Sequence, residues 1–400
     1  MFYKKKKIAV IGSTGSIGTS ALNIIKKNLN LFNIELLVCD KSYKSLVRQV
    51  NLFSPKYVYI NDLDAKKKFI KLNFSKKTKL INHVKDFEKF FKKNKIDKTI
   101  LAVSSVQGLR YTFNFLKFSR EILIANKESI VCGGNLLLKR AKLLKCKITS
   151  IDSELYSLSQ LILNKKFNIK KIDSVYLTAS GGPFLGKCKK NFYKSPISKV
   201  ISHPKWSMGE KISVDSATMV NKIFEIIETH VLFKIPINKI KIKIHKESLV
   251  HCVVIFKDGF VNAAMHNTSM EIPIRNSLIK NVSVKQTDNF FKNTGNINLN
   301  FNEEQLLEFP ILKKGLKILK YGQSAWILLN IFNDCLVKNF LDKKIFYHQI
   351  VDNLIELLNN KSILAYCKNK VSSLDDIEKT INFGLNQLAK LGKLGKLGKL

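Results

Sequence analysis

Four hundred residues suffice for two or three domains with an ample buried core. A formal charge of +39 ordinarily points to nucleic acid or an anionic membrane, but only five of the 69 basic residues are Arg. The Lys are spread along the whole chain among abundant Asn, Ile and Phe, so the charge reads as a composition bias, and neither nucleic acid nor a membrane is an expected partner. Seven Cys (39, 132, 146, 188, 252, 335 and 367) are odd in number, widely separated and without a C-x-x-C pair; they read as free thiols in a reducing compartment. No apolar run approaches the roughly 18 residues of a membrane span. The basic start MFYKKKK leads through a strand-length apolar run into a glycine loop, unlike a signal peptide, so a soluble, cytoplasmic protein is expected.

KIAVIG is a continuous apolar strand of the kind buried on both faces of a parallel sheet. It ends in Gly12-Ser13-Thr14-Gly15-Ser16-Ile17-Gly18 and a helix, SALNIIKKNL. Glycines let the backbone turn tightly and approach a pyrophosphate, whose charge a helix N-terminus stabilises. The second strand, IELLVCD, ends at Asp40 before Lys41, Ser42, Tyr43 and Lys44. An acid there serves the ribose 2′-hydroxyl of NAD, whereas basic residues accommodate the 2′-phosphate of NADP, and Lys41 favours NADPH. Further βα alternation follows through YVYI, KTILAVSS and EILIANKES, the last ending at Asn126-Lys127-Glu128. Lys127, at a strand end beside the cofactor cleft, is a candidate polar contact to substrate.

The strand KITSID runs into Asp152-Ser153-Glu154. In extended backbone, residues two apart share a side, so both carboxylates can converge on one cation, with Glu225 as a third. Oxygen donors without His or Cys fit a hard ion such as Mg²⁺ or Mn²⁺. VYLTASGGPF gives a strand and a turn in which Gly181 and Gly182 bring N–H groups toward an oxyanion and Ser180 adds a hydroxyl. HPKWSMGEK, punctuated by Pro204 and Gly209, reads as a loop, and its Trp206 suggests a lid. SATMVNKIFEIIETHVLF recurs at helical spacing, with Asn221 and Glu225 on a common face, Lys222 beside them, and Ser216 at the N-cap position of an anion site. Residues 240–285 look like strands joined by a Lys-Asp-Gly turn, in which His245 and His251 read as structural. Residues 286–310 read as a linker, 311–389 as a helical bundle, and the KLG repeat of 390–400 as a disordered tail.

HPKWSMGEKISVDSATMVNK closely resembles the signature of the 1-deoxy-D-xylulose 5-phosphate reductoisomerase family, and GSTGSIG, ANKES, DSE and SGGPF stand in that family's order. The resemblance covers residue 7 to about 280 and implies an α/β protein: a Rossmann-like domain over 1–151, then an α+β catalytic domain over 152–285 with a dimer sheet and a mobile lid. It implies NADPH-dependent isomerisation and reduction of a phosphorylated sugar by a homodimer. Asp152, Glu154 and Glu225 would hold one divalent ion. Ser153, Lys127, Ser180, His203, Trp206, Met208, Ser216, Asn221 and Lys222 would contact substrate, with Lys127 at its reacting end, Ser180, Ser216, Asn221 and Lys222 at its phosphate, and His203, Trp206 and Met208 in the lid. Ser13, Thr14, Gly15, Ser16, Ile17, Lys41, Ser42, Asn126, Glu128 and Gly209 would contact NADPH. The chain departs from the family at Asp40, where Gly is usual, over Ser104–Leu109 with its Gln107, where Gly and Ala are more usual, and at Asp334, where Glu is usual. Another NAD(P)-dependent dehydrogenase would explain the first 150 residues but not the three carboxylates with a four-group phosphate site, and a basic polyanion-binding protein that keeps the fold would explain the charge.

Overall fold

The computed structural model describes residues 4–72, 74–163, 169–187, 193–206, 208–279, 297–390 and 392. Nearly all of the KLG tail, Cys188 and the first part of the expected linker therefore lie outside the described residues. Two compact units emerge: Met1–Asn126 with Leu137–Asp152 and Met270–Val282, and Lys127–Leu136 with Ser153–Ser269 and Ser283–Leu400.

In the first unit strands and helices alternate: β1 (Lys6–Ile11), α1 (Ser16–Lys26), β2 (Phe32–Cys39), α2 (Tyr43–Phe53), β3 (Tyr57–Ile60), α3 (Leu63–Ile70), β4 (Lys79–Leu80), α4 (Asp86–Phe91), β5 (Ile96–Leu101), α5 (Gln107–Phe118), β6 (Ser119–Ile124), α6 (Lys127–Leu143) and β7 (Lys147–Ser150). All pairs are parallel, in the order β4-β3-β2-β1-β5-β6-β7. The order reverses between β1 and β5, and open α/β sheets bind ligands in the crevice at the carboxyl ends of such strands. Ile8, Val10, Leu37, Val58, Ile100 and Leu123 fill the core, as apolar strand runs covered on both faces must. Helix α6 is broken at Gly134 (φ 49°, ψ −140°), so its first residues belong to the second unit and its last to the first.

The second unit contains α7 (Ser153–Leu163), β8 (Ile172–Ala179), α8 (Ile197–Ile201), α9 (Glu210–Thr218), α10 (Val220–Phe233), β9 (Ile240–Ile244), β10 (Val250–Phe256) and β11 (Val261–Met265). Its sheet runs β11-β10-β8-β9, antiparallel except for β8 beside β9, and α7 and α10 pack on it. The helices Pro310–Leu319, Gln323–Leu341, Tyr347–Asn359, Lys361–Tyr366 and Leu374–Lys390 make the expected bundle.

Three local expectations are corrected. Residues 271–278 form a helix, α11 (Glu271–Leu278), which returns to the first unit against α1. Ile274 and Leu278 are fully buried there, and Lys98 reaches the Ser277 carbonyl while pairing with Glu121 at 3.1 Å. Asp152 and Glu154 straddle the start of α7 and do not alternate along a strand, because β7 stops at Ser150. Ser216 is no N-cap: it lies in the last turn of α9, which begins directly after Gly209 and takes in Glu210 and Lys211 from the expected loop. Met219 in the left-handed region (φ 67°) ends that helix and starts α10.

Candidate active site

Glu225 and Lys222 lie one turn apart on α10, both buried, with the half-buried Asn221 beside them. The Lys222 ammonium meets Glu225 Oε2 at 2.5 Å, Glu154 Oε1 at 2.5 Å and the Thr178 carbonyl at 2.7 Å. Lys127, the first residue of α6, places its ammonium 3.2 Å from Glu225 Oε1, which also accepts from Asn221 Nδ2 at 2.6 Å. Ser153, the first residue of α7, donates to Glu154. Asp152 precedes it, where the chain passes between the units, so covalent continuity holds it beside Glu154. One oxygen from each of Asp152, Glu154 and Glu225 lies within 4.8 Å of the others.

Three carboxylates against two ammonium groups leave a negative balance in a buried place. Burial alone raises a carboxyl pKa, but Lys222, Lys127 and His251 outweigh it and hold Glu154 well below the usual range. The donor set is all oxygen and carries charge in excess of its lysines, which fits a hard divalent cation. Lys222, expected at the phosphate, thus sits among these carboxylates.

A second cluster surrounds Ser180 at the end of β8. Gly181 and Gly182 have φ of 83° and 70°, and a Cβ on Gly182 would stand 3.1 Å from Ala217 Cα and 3.3 Å from the Ser216 carbonyl oxygen, so the turn lies directly against the last turn of α9. His203 Nε2 lies 2.9 Å from Ser180 Oγ, and its Nδ1 accepts the backbone N–H groups of Lys205 and Trp206 at 3.1 and 3.0 Å. With Nδ1 an acceptor, Nε2 carries the proton and donates to Ser180, and Gly182 N–H donates to the same oxygen at 3.3 Å. The Ser180 hydroxyl hydrogen is left to point at an anion. Burial and Lys222 lower the His203 pKa to about 4, so this neutral tautomer prevails at physiological pH. Asn221 Oδ1 is buried with no hydrogen-bond partner among the described residues.

The loop residues Trp206 and Met208 are half-buried, and Gly209 is the exposed N-cap of α9. Trp206 meets His251 edge-on at 5.8 Å, and His251 stacks on His266 at 3.7 Å. His251 therefore borders the site through Trp206 and through its influence on Glu154, which its place in an apolar strand concealed. His245 is structural as expected: fully buried, bonded to the Asn300 carbonyl and paired with Glu247. Glu128, expected at the cofactor, is held by Lys211 at 2.5 Å. The same ammonium meets Asp215 at 2.9 Å and Asp334 at 3.0 Å, joining the starts of α6 and α9 to the helix Gln323–Leu341. A lysine and an aspartate four apart are the available signal, hidden because Pro204 and Gly209 make the preceding stretch look like loop.

In the first unit, the turn after β1 is drawn tight. A Cβ added to Gly12 (φ 85°) would stand 2.5 Å from the Ala102 carbonyl oxygen, and Gly18 packs directly on Gly12. Gly15 and Ser16 are exposed at the start of α1, which has no side-chain cap, and Thr14 and Ile17 are half-buried beside them. Unsatisfied N–H groups at an open helix start fit a pyrophosphate. Ser13 is turned inward, exchanging hydrogen bonds of 2.8 Å with Gln49 through both its hydroxyl and its carbonyl. Lys41 and Ser42 are exposed after β2, and Asn126 donates to the Ser105 carbonyl at 3.0 Å.

A doubly wound nucleotide-binding fold, an all-oxygen metal-type cluster and a serine-glycine anion turn define a nucleotide-dependent enzyme acting on an anionic substrate. Family profiles for 1-deoxy-D-xylulose 5-phosphate reductoisomerase match residues 8–134, those for its C-terminal domain residues 148–233, and those for the DXP reductoisomerase C-terminal domain residues 265–383. The reductoisomerase of Pelagibacter ubique (strain HTCC1062) is 39% identical over 93% of this chain and 96% of its own length. That of Sulfurihydrogenibium sp. (strain YO3AOP1) is 34% identical over 96% and 98%. A solved DOX-P reductoisomerase in complex with NADPH, fosmidomycin and magnesium superposes with a TM-score of 0.88 at 29% identity, covering 98% of this chain and all of that one. The enzyme from Zymomonas mobilis in complex with NADPH gives 0.82 at 26% identity, covering 97% and 99%. The chain belongs to the 1-deoxy-D-xylulose 5-phosphate reductoisomerase family.

Proposed function

We propose that this chain converts 1-deoxy-D-xylulose 5-phosphate to 2-C-methyl-D-erythritol 4-phosphate, an NADPH- and divalent-metal-dependent isomerisation and reduction in non-mevalonate isoprenoid biosynthesis. The observation that carries the reading is the convergence of Asp152, Glu154 and Glu225 beside two lysines, in a chain that matches the family from end to end. A bound Mg²⁺ or Mn²⁺ supplies electrophilic charge to the substrate's oxygens, and NADPH supplies the reducing equivalent.

The chain's own groups do the positioning. Ser180, with its hydroxyl hydrogen directed outward by His203, and Ser216, Asn221 and Lys222 receive the phosphate. Lys127 and Ser153 serve the reacting end, where the Lys127 ammonium, paired with Glu225, donates to a developing oxyanion. The loop bearing His203, Trp206 and Met208 closes over the substrate and excludes water, directing phosphate binding energy to the reacting centre. Thr14, Gly15, Ser16 and Ile17 hold the nucleotide's pyrophosphate, with Lys41 and Ser42 at the ribose. Mass spectrometry of the product from a quenched reaction tests the reading: the methylerythritol phosphate is expected with the unmodified chain and absent with Glu225→Gln.

We further infer a homodimer. β11 is a sheet edge that exposes Val261 (57%) and Met265 (39%), with Phe260 (73%) exposed just before it, and Ala263 stands in register with Val253 and Tyr176 on the same face. Such an apolar edge favours burial against a second copy. Six cysteines are free and buried among the described residues, consistent with a reducing, cytoplasmic setting. Among the described residues no helix is long and apolar enough to cross a membrane.

A further inference from the structure

We propose that Asp40 sets the nucleotide preference of this chain, weakening its selection for a 2′-phosphate so that NADH binds comparably to NADPH; the inference rests on the reading of the first unit as the nucleotide domain. Gly12 and Ser13 both donate their N–H groups to the Val38 carbonyl, at 2.9 and 2.8 Å, so the pyrophosphate-type turn is tied to the end of β2 two residues before Asp40. Strands β1 and β2 are neighbours, and Asp40 emerges from the carboxyl end of the latter, where the ribose of a dinucleotide lies in this fold.

The carboxylate is also oriented. Asn61 is anchored by its N–H to the Cys39 carbonyl at 3.0 Å, and its side-chain amide donates to Asp40 Oδ1 at 2.9 Å. Asp40 is exposed, and no ammonium or guanidinium pairs with it among the described residues. Lys41 and Lys44 stand beside it, exposed and likewise unpaired among the described residues. An ionised carboxylate is an acceptor only, so its second oxygen can receive the hydrogen of a 2′-hydroxyl but repels a 2′-phosphate. Lys41 and Ser42 offer the opposing attraction, which retains NADPH binding while its advantage is reduced.

The test is a fluorescence titration of the full chain with NADPH and with NADH at low ionic strength, in parallel with Asp40→Gly and Asp40→Asn. Both substitutions are at an exposed position, and an unchanged unfolding temperature verifies the fold. The unmodified chain is expected to bind the two nucleotides within about tenfold of each other, and each substitution to shift the ratio toward NADPH by about tenfold or more, the scale of one charge-assisted contact. A preference for NADPH that is already about 100-fold and unmoved by either substitution would overturn the proposal. Failure of the unmodified chain to bind either nucleotide would overturn the reading of the first unit, and the proposal with it.

Discussion

Glu225 holds two ammonium groups at once, Lys127 through Oε1 and Lys222 through Oε2, in a fully buried position. Glu225→Gln removes the charge and keeps the shape. Divalent-ion affinity measured by calorimetry should fall by at least about 100-fold, since even outer-shell losses reach that scale, while nucleotide binding in the first unit stays unchanged. Parallel loss of both would mean general unfolding. His251 gives a pH prediction. Burial, with the charge of His266, lowers its pKa from 6.5 to about 3 in the folded chain, so between these values the unfolded chain binds the extra proton. Stability from the neutral ring is therefore full above about pH 6.5 and is lost as pH falls toward 3. Thermal unfolding of His251→Gln should depend less steeply on pH across that window; an unaltered slope would show that His251 is not buried neutral. The carboxylates and Lys222 are legible in the sequence because D-x-E and the N-K-x-x-E run are short and local. The neighbours of Lys222 are not, since Thr178 and Glu154 come from other segments.

The Lys211 ammonium hydrogen-bonds Glu128 and Asp215 and pairs ionically with Asp334, joining carboxylates from three elements, α6, α9 and the helix Gln323–Leu341. Lys211→Met leaves three acids crowded without their cation, and should destabilise the chain by about 3–5 kcal/mol in urea unfolding. Asp334→Glu, which keeps the charge, should cost far less; equal losses would mean that packing and not charge holds the junction. The serine-glycine turn yields a subtler change. Gly182→Ala adds a Cβ 3.1 Å from Ala217 Cα at a φ of 70°, so it should raise the KM for the sugar phosphate and leave nucleotide affinity unaltered. At this scale the sequence is a partial guide. The βα alternation, the four-stranded sheet and the C-terminal bundle follow from periodicity and strand-length apolar runs. The break at Met219 does not: a left-handed methionine between two helices is a tertiary constraint with no local signature, so the spacing suggests one helix where two exist. Helix α11 is hidden for a similar reason, since its apolar positions are explained only by the core it rejoins.

The charge of +39 belongs to the molecule as a whole. The lysines are spread along the entire sequence, so their expected effect is attraction of a phosphorylated substrate at long range: kcat/KM should decline as salt shortens the Debye length from about 30 Å at 0.01 M to about 8 Å at 0.15 M. A salt-independent kcat/KM would confine the lysines to solubility. The exposed edge of β11 predicts that Val261→Glu shifts the chain toward monomer in light scattering at micromolar concentration. The central claim is tested most directly by following oxidation of NADPH with 1-deoxy-D-xylulose 5-phosphate, with and without Mg²⁺ or Mn²⁺. Oxidation that requires both the sugar phosphate and the divalent ion is the predicted result. Folded, nucleotide-bound protein that shows no oxidation with metal present, or the same rate after chelation, would contradict the account.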